Sequence, residues 1–385
     1  MEDKRLESAL EVLKILNENG YEAYLVGGFV RDYLLGTEGK DIDITTNALP
    51  QKVQELFPNN YSKSLKFKTI TVRNKGFEFE VTTYRIDKRY KDHRHPESKV
   101  SSSLKEDVKR RDFTVNAICM DKDLKTLDYV GGINDLRLQI LRAVGNPKKR
   151  FNEDALRMFR AFRFASRLGF KIEEETYKGI VDNANLVKFI SKERIKQELE
   201  GTIETASFKN ILPLMIDSDI FKTMPDLLEA FKYLKENYIP CNLMDILCLA
   251  SYLKGEVTDE LILSKKERKF ISDTLHFMEL LKHRKLTPMD LFECDFNAVK
   301  EASKILVVGR QTPYNLEDLE DLYESLPIKK QKELKVNGDD VISILDITDP
   351  TKIKEYLYLL CSAVVHKKVK NTEKDLINYL KGIGF

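Results

Sequence analysis

A mixed α/β head followed by a long all-α remainder is the fold class that this sequence predicts, on three observations. Runs rich in β-branched and aromatic residues, set off by glycine and asparagine turns, are confined to the first third of the chain. From Asn152 onward the apolar spacing is nearly all helical. The 385 residues are too many for one core of ordinary size, so about two to four domains are expected. Composition narrows the class further. With 42% apolar and 33% charged residues the chain is not disordered. Its net charge of +2 means that any nucleic-acid surface must be local. No apolar run is long enough to span a bilayer, and MEDKRLESAL does not read as a signal peptide. The five cysteines are scattered without a CxxC, which suits reduced thiols in the cytoplasm. The five histidines form no HExxH pair, so a histidine-based metal site is not expected.

In chain order, ESALEVLKILNENG has helical spacing at Leu6, Leu10, Leu13 and Leu16 and closes at Asn19-Gly20. YEAYLVGG reads as a strand, FVRDYLLG as a short helix and KDIDITT as a second strand. TITVRNKGFEFEVTTYR reads as a hairpin around Asn74-Lys75-Gly76. The polar stretch from Ile86 to Lys105, with Pro96 and three consecutive serines, reads as a mobile loop. RRDFTVNAICMD and TLDYVGGINDL follow as helix and turn. A long helix is expected from an Asn152 cap, and another at ISKERIKQELE behind Ser191.

Two segments of the head carry chemistry. Gly27 and Gly28 stand between a strand and a helix, where bare backbone N–H groups and a helix N-terminus suit a phosphate, and Arg31 adds a cation. Such a corner is also ordinary turn chemistry. Asp41 and Asp43 follow as an i, i+2 pair, so on a strand both carboxylates share a face. Adjacent carboxylates repel, and Mg²⁺ shared with phosphates is the usual compensation, although an isolated DxD is as readily a solvated strand face. Glu80 is the candidate third carboxylate from a neighbouring strand, with Glu78 on the same face as its rival. Corner, DxD and strand carboxylate together describe a nucleotidyltransferase palm, in which two metals clamp the attacking and leaving oxygens.

LVGGFVRDYLLG, DIDITT, RRDFTVNA, NEDALRMFRAFRF and ISKERIKQELE, in this order, resemble the successive motifs of the class II tRNA nucleotidyltransferases, the CCA-adding enzymes. Bacterial poly(A) polymerases are close relatives of that family. SLPIKKQKELKVNGDDVI resembles the tail of the Gram-positive members. The resemblance implies an elongated, seahorse-like fold: a palm head (1–145), a base-recognising neck (146–205), a helical body (206–300) and a tRNA-binding tail (301–385). It implies C, C and A addition to tRNA 3′ ends from CTP and ATP. By motif, Gly28 and Arg31 would hold triphosphate, and Asp41 and Asp43 would bind Mg²⁺ with support from Glu80. Arg111 and Asp112 would contact the nucleotide, Asp112 at the ribose 2′-OH, with Asn116 behind them. Glu193 and Arg194 would buttress the neck, unless they are purely structural.

Within NEDALRMFRAFRF the resemblance makes Asp154 and Arg157 the base readers, with Arg160 and Arg163 as further nucleotide contacts. The chemistry fits. Cytosine and adenine each show an amino donor beside a ring-nitrogen acceptor, whereas uracil and guanine show the reverse. An ionised Asp only accepts and an Arg only donates, and i and i+3 are neighbours on a helix. Lys329, Lys330, Lys332, Lys335, Lys367, Lys368 and Lys370 are candidates for tRNA phosphates.

The chain departs from the family pattern in three places: KSLKFKTITV before the hairpin, serines in HPESKVSSSLKEDV, and DITDPTKIKEY in the tail. In the family the loop holding those serines helps the site switch from CTP to ATP. An A-adding-only or CC-adding-only enzyme, a poly(A) polymerase and an RNA-binding protein with an inactive palm remain as alternatives. The chain lacks a phosphohydrolase-type His-Asp pair, so no phosphatase activity is expected.

Overall fold

The computed structural model describes residues 4–39, 41–64, 69–90, 96–308 and 316–383. They form two compact units, Met1–Leu228 and Glu229–Phe385.

The first unit opens with helix α1 (Lys4–Glu18), whose Leu13 and Leu16 are fully buried. The helix lies against the sheet at β1 (Ala23–Val26) and at strands β4 and β5 introduced below. Burying one such leucine is worth about 1.5–3 kcal/mol, and Leu13→Ala costs about 2–5 kcal/mol once the cavity is included. Then follow α2 (Gly28–Leu34), β2 (Asp43–Thr46), α3 (Pro50–Leu56), β3 (Asn60–Ser64), β4 (Thr69–Asn74) and β5 (Phe77–Thr83). The β4–β5 hairpin turns where the sequence expects it: Lys75 and Gly76 both have positive φ, which suits the twist of a two-residue hairpin loop. Residues 65–68, within KSLKFKTITV, lie outside the described residues.

Two expectations fail in the next stretch. The segment read as a mobile loop holds β6 (Arg85–Tyr90) and β7 (Pro96–Val100), paired antiparallel, and then α4 (Leu104–Lys109). Proline argued against a strand, but Pro96 is the first residue of one in a two-stranded ribbon, where a missing donor is tolerated. Residues 91–95 of this expected loop lie outside the described residues. RRDFTVNAICMD is not a helix either. It contains a single 3₁₀ turn, Thr114–Asn116, and the short strand β8 (Cys119–Met120), because Phe113, Val115, Ala117 and Ile118 are all buried and leave no polar face.

Strand β9 (Thr126–Leu127) closes a seven-stranded sheet of order β3-β4-β5-β2-β1-β8-β9, in which only β2 and β5 are parallel. Helix α5 (Gly132–Leu138) and β10 (Ile140–Leu141) lead into helices: α6 (Pro147–Glu153), α7 (Leu156–Leu168), α8 (Glu174–Asn183), α9 (Lys192–Ile203) and α10 (Phe208–Asp217). The short strand Lys171–Ile172 pairs parallel with β10. The single helix expected from an Asn152 cap is two helices. Asn146 accepts from the Lys149 N–H, Pro147 takes the first turn of α6, and Asn152 lies inside that helix. The chain turns extended at Asp154 before α7 begins. Helix α7 then packs against α9 and α10 through Phe159, Phe162 and Met158.

The second unit is helical among its described residues. Leu243–Lys254, Lys265–His283 and Phe296–Val308 pack on one another, and Gly338–Leu345, Pro350–Val365 and Glu373–Ile383 form a further cluster. Capping boxes at Asn242/Asp245, Ser264/Glu267 and Asn337/Asp340 fix where three of these helices start. Lys304 is ion-paired to Asp245 at 2.5 Å between two of them. Of the tail lysines, Lys329 is held by Glu324 at 2.6 Å and lies over the Tyr323 ring, whereas the other six are exposed. Among the described residues no helix is long and apolar enough to cross a membrane.

Candidate active site

The acidic edge of the site is built by β1, β2 and β5. Strand β1 ends at Gly27, whose φ of 83° only glycine adopts without strain. A Cβ there would stand 3.3 Å from Asp43 Oδ2, so the missing side chain also keeps the carboxylate accessible. Asp43 opens β2, and Asp41 lies two residues ahead of the strand rather than on it; both line one cavity. Glu80 on β5 is in register with Asp43, whereas Glu78 is bound to Arg73 at 2.8 Å and to the Tyr61 hydroxyl. Geometry therefore places Glu80, not Glu78, beside the Asp pair. Burial pushes the Asp43 carboxyl up to about 6; Arg111 opposes this, and Glu80 and Asp41 add to it. Arg111 is itself held by Asp107 at 3.3 Å, and its buried Nε has no hydrogen-bond partner among the described residues. Asp107 is fully buried and also binds Arg110 and the Arg85 N–H, which ties the base of the β6–β7 hairpin to this corner.

The opposite wall is made of guanidinium groups, each set by an acid from elsewhere in the unit. Arg31, 1% exposed, donates to Asp32 at 2.8 and 2.6 Å and to Asn116 at 2.5 Å. Burial lowers its pKa, against the pull of Asp32. Asn116 in turn donates to Asp112 at 3.4 Å. Arg160 donates twice to Asp112 Oδ2, at 3.0 and 2.6 Å, and Asp112 Oδ1 accepts the Phe113 N–H. Burial alone would raise the Asp112 carboxyl, but Arg160 and Arg157 outweigh it and hold it at about 2. Arg163 Nε lies 2.6 Å from Glu198 Oε2 on α9, a close ion pair without hydrogen-bond alignment. The stem of Arg163 crosses Gly201, where a Cβ would come within 2.8 Å of its Cδ. Arg167 reaches Asp32 at 3.3 Å.

Asp154 and Arg157 are not among the residues lining this cavity, but they lie near its wall: Arg157 acts on Asp112 and Asp154 on Arg160. The even three-residue ruler along one helix does not hold. Asp154 precedes α7, where its Oδ1 accepts the Leu156 N–H at 3.1 Å. It remains next to Arg157 through the Arg157 N–H to Asp154 carbonyl bond. Arg157 donates to the carbonyls of Arg150 and Arg110, each at 3.1 Å, and pairs with Glu153. Sequence reasoning missed Asp32, Asp107, Phe164, Arg167 and Glu198. Glu198 depends on a contact distant in sequence; the others had local signals, Asp32 next to Arg31, Asp107 three and four residues before Arg110 and Arg111, Phe164 next to Arg163, and Arg167 one helical turn beyond Arg163. Glu193 and Arg194, expected as buttresses, share α9 with Glu198, the residue that meets the arginine wall. Ser191 occupies the α9 cap position without a side-chain cap bond.

Between the walls lies a cavity of about 340 Å³, within the range of small-ligand pockets. Its lining carries the cations Arg31, Arg160, Arg163 and Arg167, and Arg111 beside Asp43 and Asp41. An acidic strand edge beside an arginine wall is the arrangement of a nucleotidyltransferase palm. Comparison with known proteins agrees. Residues 23–142 match the family model described as Poly A polymerase head domain, 169–231 the probable RNA and SrmB-binding site of polymerase A, and 247–380 the putative tRNA nucleotidyltransferase domain 2. The CCA-adding enzyme of Geobacillus sp. (strain WCH70) is 36% identical over 97% of this chain and 96% of its own. That of Bacillus subtilis (strain 168) is 34% identical over 99% of each. The crystal structure of the Bacillus stearothermophilus CCA-adding enzyme in complex with CTP superposes with a TM-score of 0.84 at 32% identity, covering 99% of this chain and 98% of that one. The chain belongs to the family of CCA-adding enzymes, tRNA nucleotidyltransferases.

Proposed function

We infer that this chain adds C, C and A to the 3′ end of tRNA from CTP and ATP, without a nucleic-acid template. The carrying observation is the convergence of Asp41, Asp43 and the arginine wall on one cavity, in a chain whose 32%-identical relative is a CCA-adding enzyme in complex with CTP.

The residues present fit Mg²⁺. Among the described residues no group of three or more His, Cys, Asp and Glu is arranged to hold a metal alone. Mg²⁺ is ordinarily held by one or two carboxylates together with substrate phosphates, which is what Asp41 and Asp43 offer. Asp43, raised to about 6 beside Glu80 and Asp41, is a carboxylate that a cation would relieve. When bound, the metal supplies charge neutralisation at the attacking 3′ hydroxyl and the leaving pyrophosphate. Gly27 and Gly28 leave backbone room for triphosphate, and Arg111 brings an unsatisfied Nε–H to the acidic edge. Arg160 and Arg163 present cationic edges to the phosphates, while Asp112 is available to the ribose only in exchange for part of its Arg160 contact.

Base choice falls to Asp154 and Arg157. Asp154 accepts from the exocyclic amine shared by C and A, and Arg157 donates to the adjacent ring nitrogen. Of the five N–H donors of Arg157, those on its two terminal nitrogens that bind the Arg150 and Arg110 carbonyls hold the group in place. A wrong edge sets carbonyl against carboxylate, at about 1–3 kcal/mol per mispaired group. The exposed lysines of the second unit provide phosphate contacts for tRNA.

The test is incubation with tRNA lacking its 3′ CCA, Mg²⁺ and each nucleoside triphosphate alone and in pairs, followed by sequencing of the ends. Complete CCA from CTP plus ATP is expected, with UTP and GTP excluded. Arrest at CC, addition of A alone to CC ends, or a run of A would overturn this reading.

A further inference from the structure

We propose that Phe164 is a positioning residue for nucleotide binding: its ring is the common surface on which Arg31, Arg160 and Arg163 are stacked. The proposal rests on the reading of the cavity given above. The Arg31, Arg160 and Arg163 guanidinium carbons stand 5.4, 5.1 and 4.6 Å from the centre of that one ring. Phe164 itself lines the cavity at 7% exposure. Its tilt is set from behind by Phe113, which meets it edge-on at 5.8 Å between centroids.

The arrangement needs a physical cause. Three like charges converging on one point repel, and their acid partners come from three separate places: Asp32 on α2, Asp112 before the 3₁₀ turn and Glu198 on α9. Glu198 reaches Arg160 as well as Arg163, at 3.8 and 2.6 Å, but none of these acids is paired with all three. The aromatic ring is the one group that all three touch, and the negative electrostatic character of its face attracts each cation. Stacking also fixes the plane of a guanidinium, so its N–H edge points along the ring surface rather than into it. An aliphatic residue of similar volume at 164 would fill the same space without either effect.

The two roles, packing and cation stacking, separate experimentally. In the full chain, Phe164 is replaced by a series of ring-fluorinated phenylalanines, which weaken the ring's electrostatic face and leave its shape nearly unchanged. Phe164→Leu is the aliphatic control. CTP affinity is measured by calorimetry in EDTA, KM and kcat on tRNA lacking CCA, and Tm for each variant. CTP affinity is expected to fall step by step with fluorine number, by about tenfold across the series, at constant Tm. Phe164→Leu is expected to raise KM for CTP at least as far, with a smaller change in kcat. A flat fluorine series in a CTP-binding protein overturns the role of Phe164 and leaves the reading of the cavity intact. Failure of the wild-type protein to bind CTP at all overturns both.

Discussion

On the arginine wall every cation has an anion at hand: Arg31 and Arg167 have Asp32, Arg160 has Asp112 and Arg163 has Glu198. On the acidic edge the position is reversed. Asp43 faces Asp41 and Glu80 with only Arg111 against them, and its carboxyl rises to about 6 while Asp112 across the cavity is held at about 2. Two aspartates in one cavity thus differ by the company they keep. The difference teaches what each wall awaits. The arginine wall is held in place by its own acids before any ligand arrives, so its donors are largely organised in advance. The acidic edge is left short of positive charge, which suits the proposed Mg²⁺.

The largest effect should come from the incomplete side. Asp43→Asn is expected to lower nucleotide addition by about a thousandfold or more, since it removes a proposed metal ligand rather than a surface charge. Binding of tRNA, followed by filter retention, should stay near wild type; addition within tenfold of wild type in Mg²⁺ would break the contrast. On the complete side, Glu198→Gln keeps the shape and one acceptor but removes the charge that holds Arg163. An increase in KM for CTP of about tenfold is expected, with kcat less affected. An unchanged KM would mean that Arg163 needs no anchor.

Stability sharpens the same comparison. In the metal-free protein, between the unfolded carboxyl value near 4 and the folded value of about 6, folded Asp43 retains a proton that the unfolded chain has released. Stability contributed by this group therefore falls as pH rises through that window and stays low above it. Asp43→Asn should remove this slope and stabilise the metal-free protein at pH 7 by roughly 1–3 kcal/mol. Denaturant melts in EDTA at pH 4.5 and 7 check the sign. Asp112 is the opposite case: its stabilisation is present above the unfolded value and is lost as pH falls toward about 2. The smallest effect is expected at Gly201. Alanine is the better helix former by roughly 0.5–1 kcal/mol, yet its Cβ would press on the Arg163 stem. Gly201→Ala should therefore hold or raise Tm while weakening CTP binding by about threefold.

Much of this was legible in the sequence, and the remainder was not for identifiable reasons. The Asp41-Ile42-Asp43 spacing marked the acidic pair locally, although only Asp43 lies on β2, and the β2–β5 register and the Arg73 pair decided for Glu80 over Glu78. The corner at Gly27 and the hairpin at Lys75-Gly76 were local turn chemistry as well. The break at Asp154 was not legible from its own neighbours, since Glu153, Asp154 and Ala155 all tolerate a helix. The usable signal lay earlier, in Asn146-Pro147, a cap followed by a first-turn proline. The β6–β7 hairpin was obscured by Pro96, whose cost vanishes at the start of a two-stranded ribbon. The distant partners of the arginines could not be read at all. Arg160 finds Asp112 across 48 positions and Arg31 finds Asn116 across 85, distances at which no periodicity carries information.

The contrast between the walls is tested most directly by CTP binding in EDTA and then in Mg²⁺, measured by calorimetry for the wild type and for Asp43→Asn. If the arginine wall is complete without metal, both proteins bind CTP in EDTA, the variant as tightly as wild type or more so because an anion is gone. Adding Mg²⁺ then tightens the wild type alone. Loss of CTP binding by Asp43→Asn in EDTA, with the fold intact, would contradict the division of labour between the two walls.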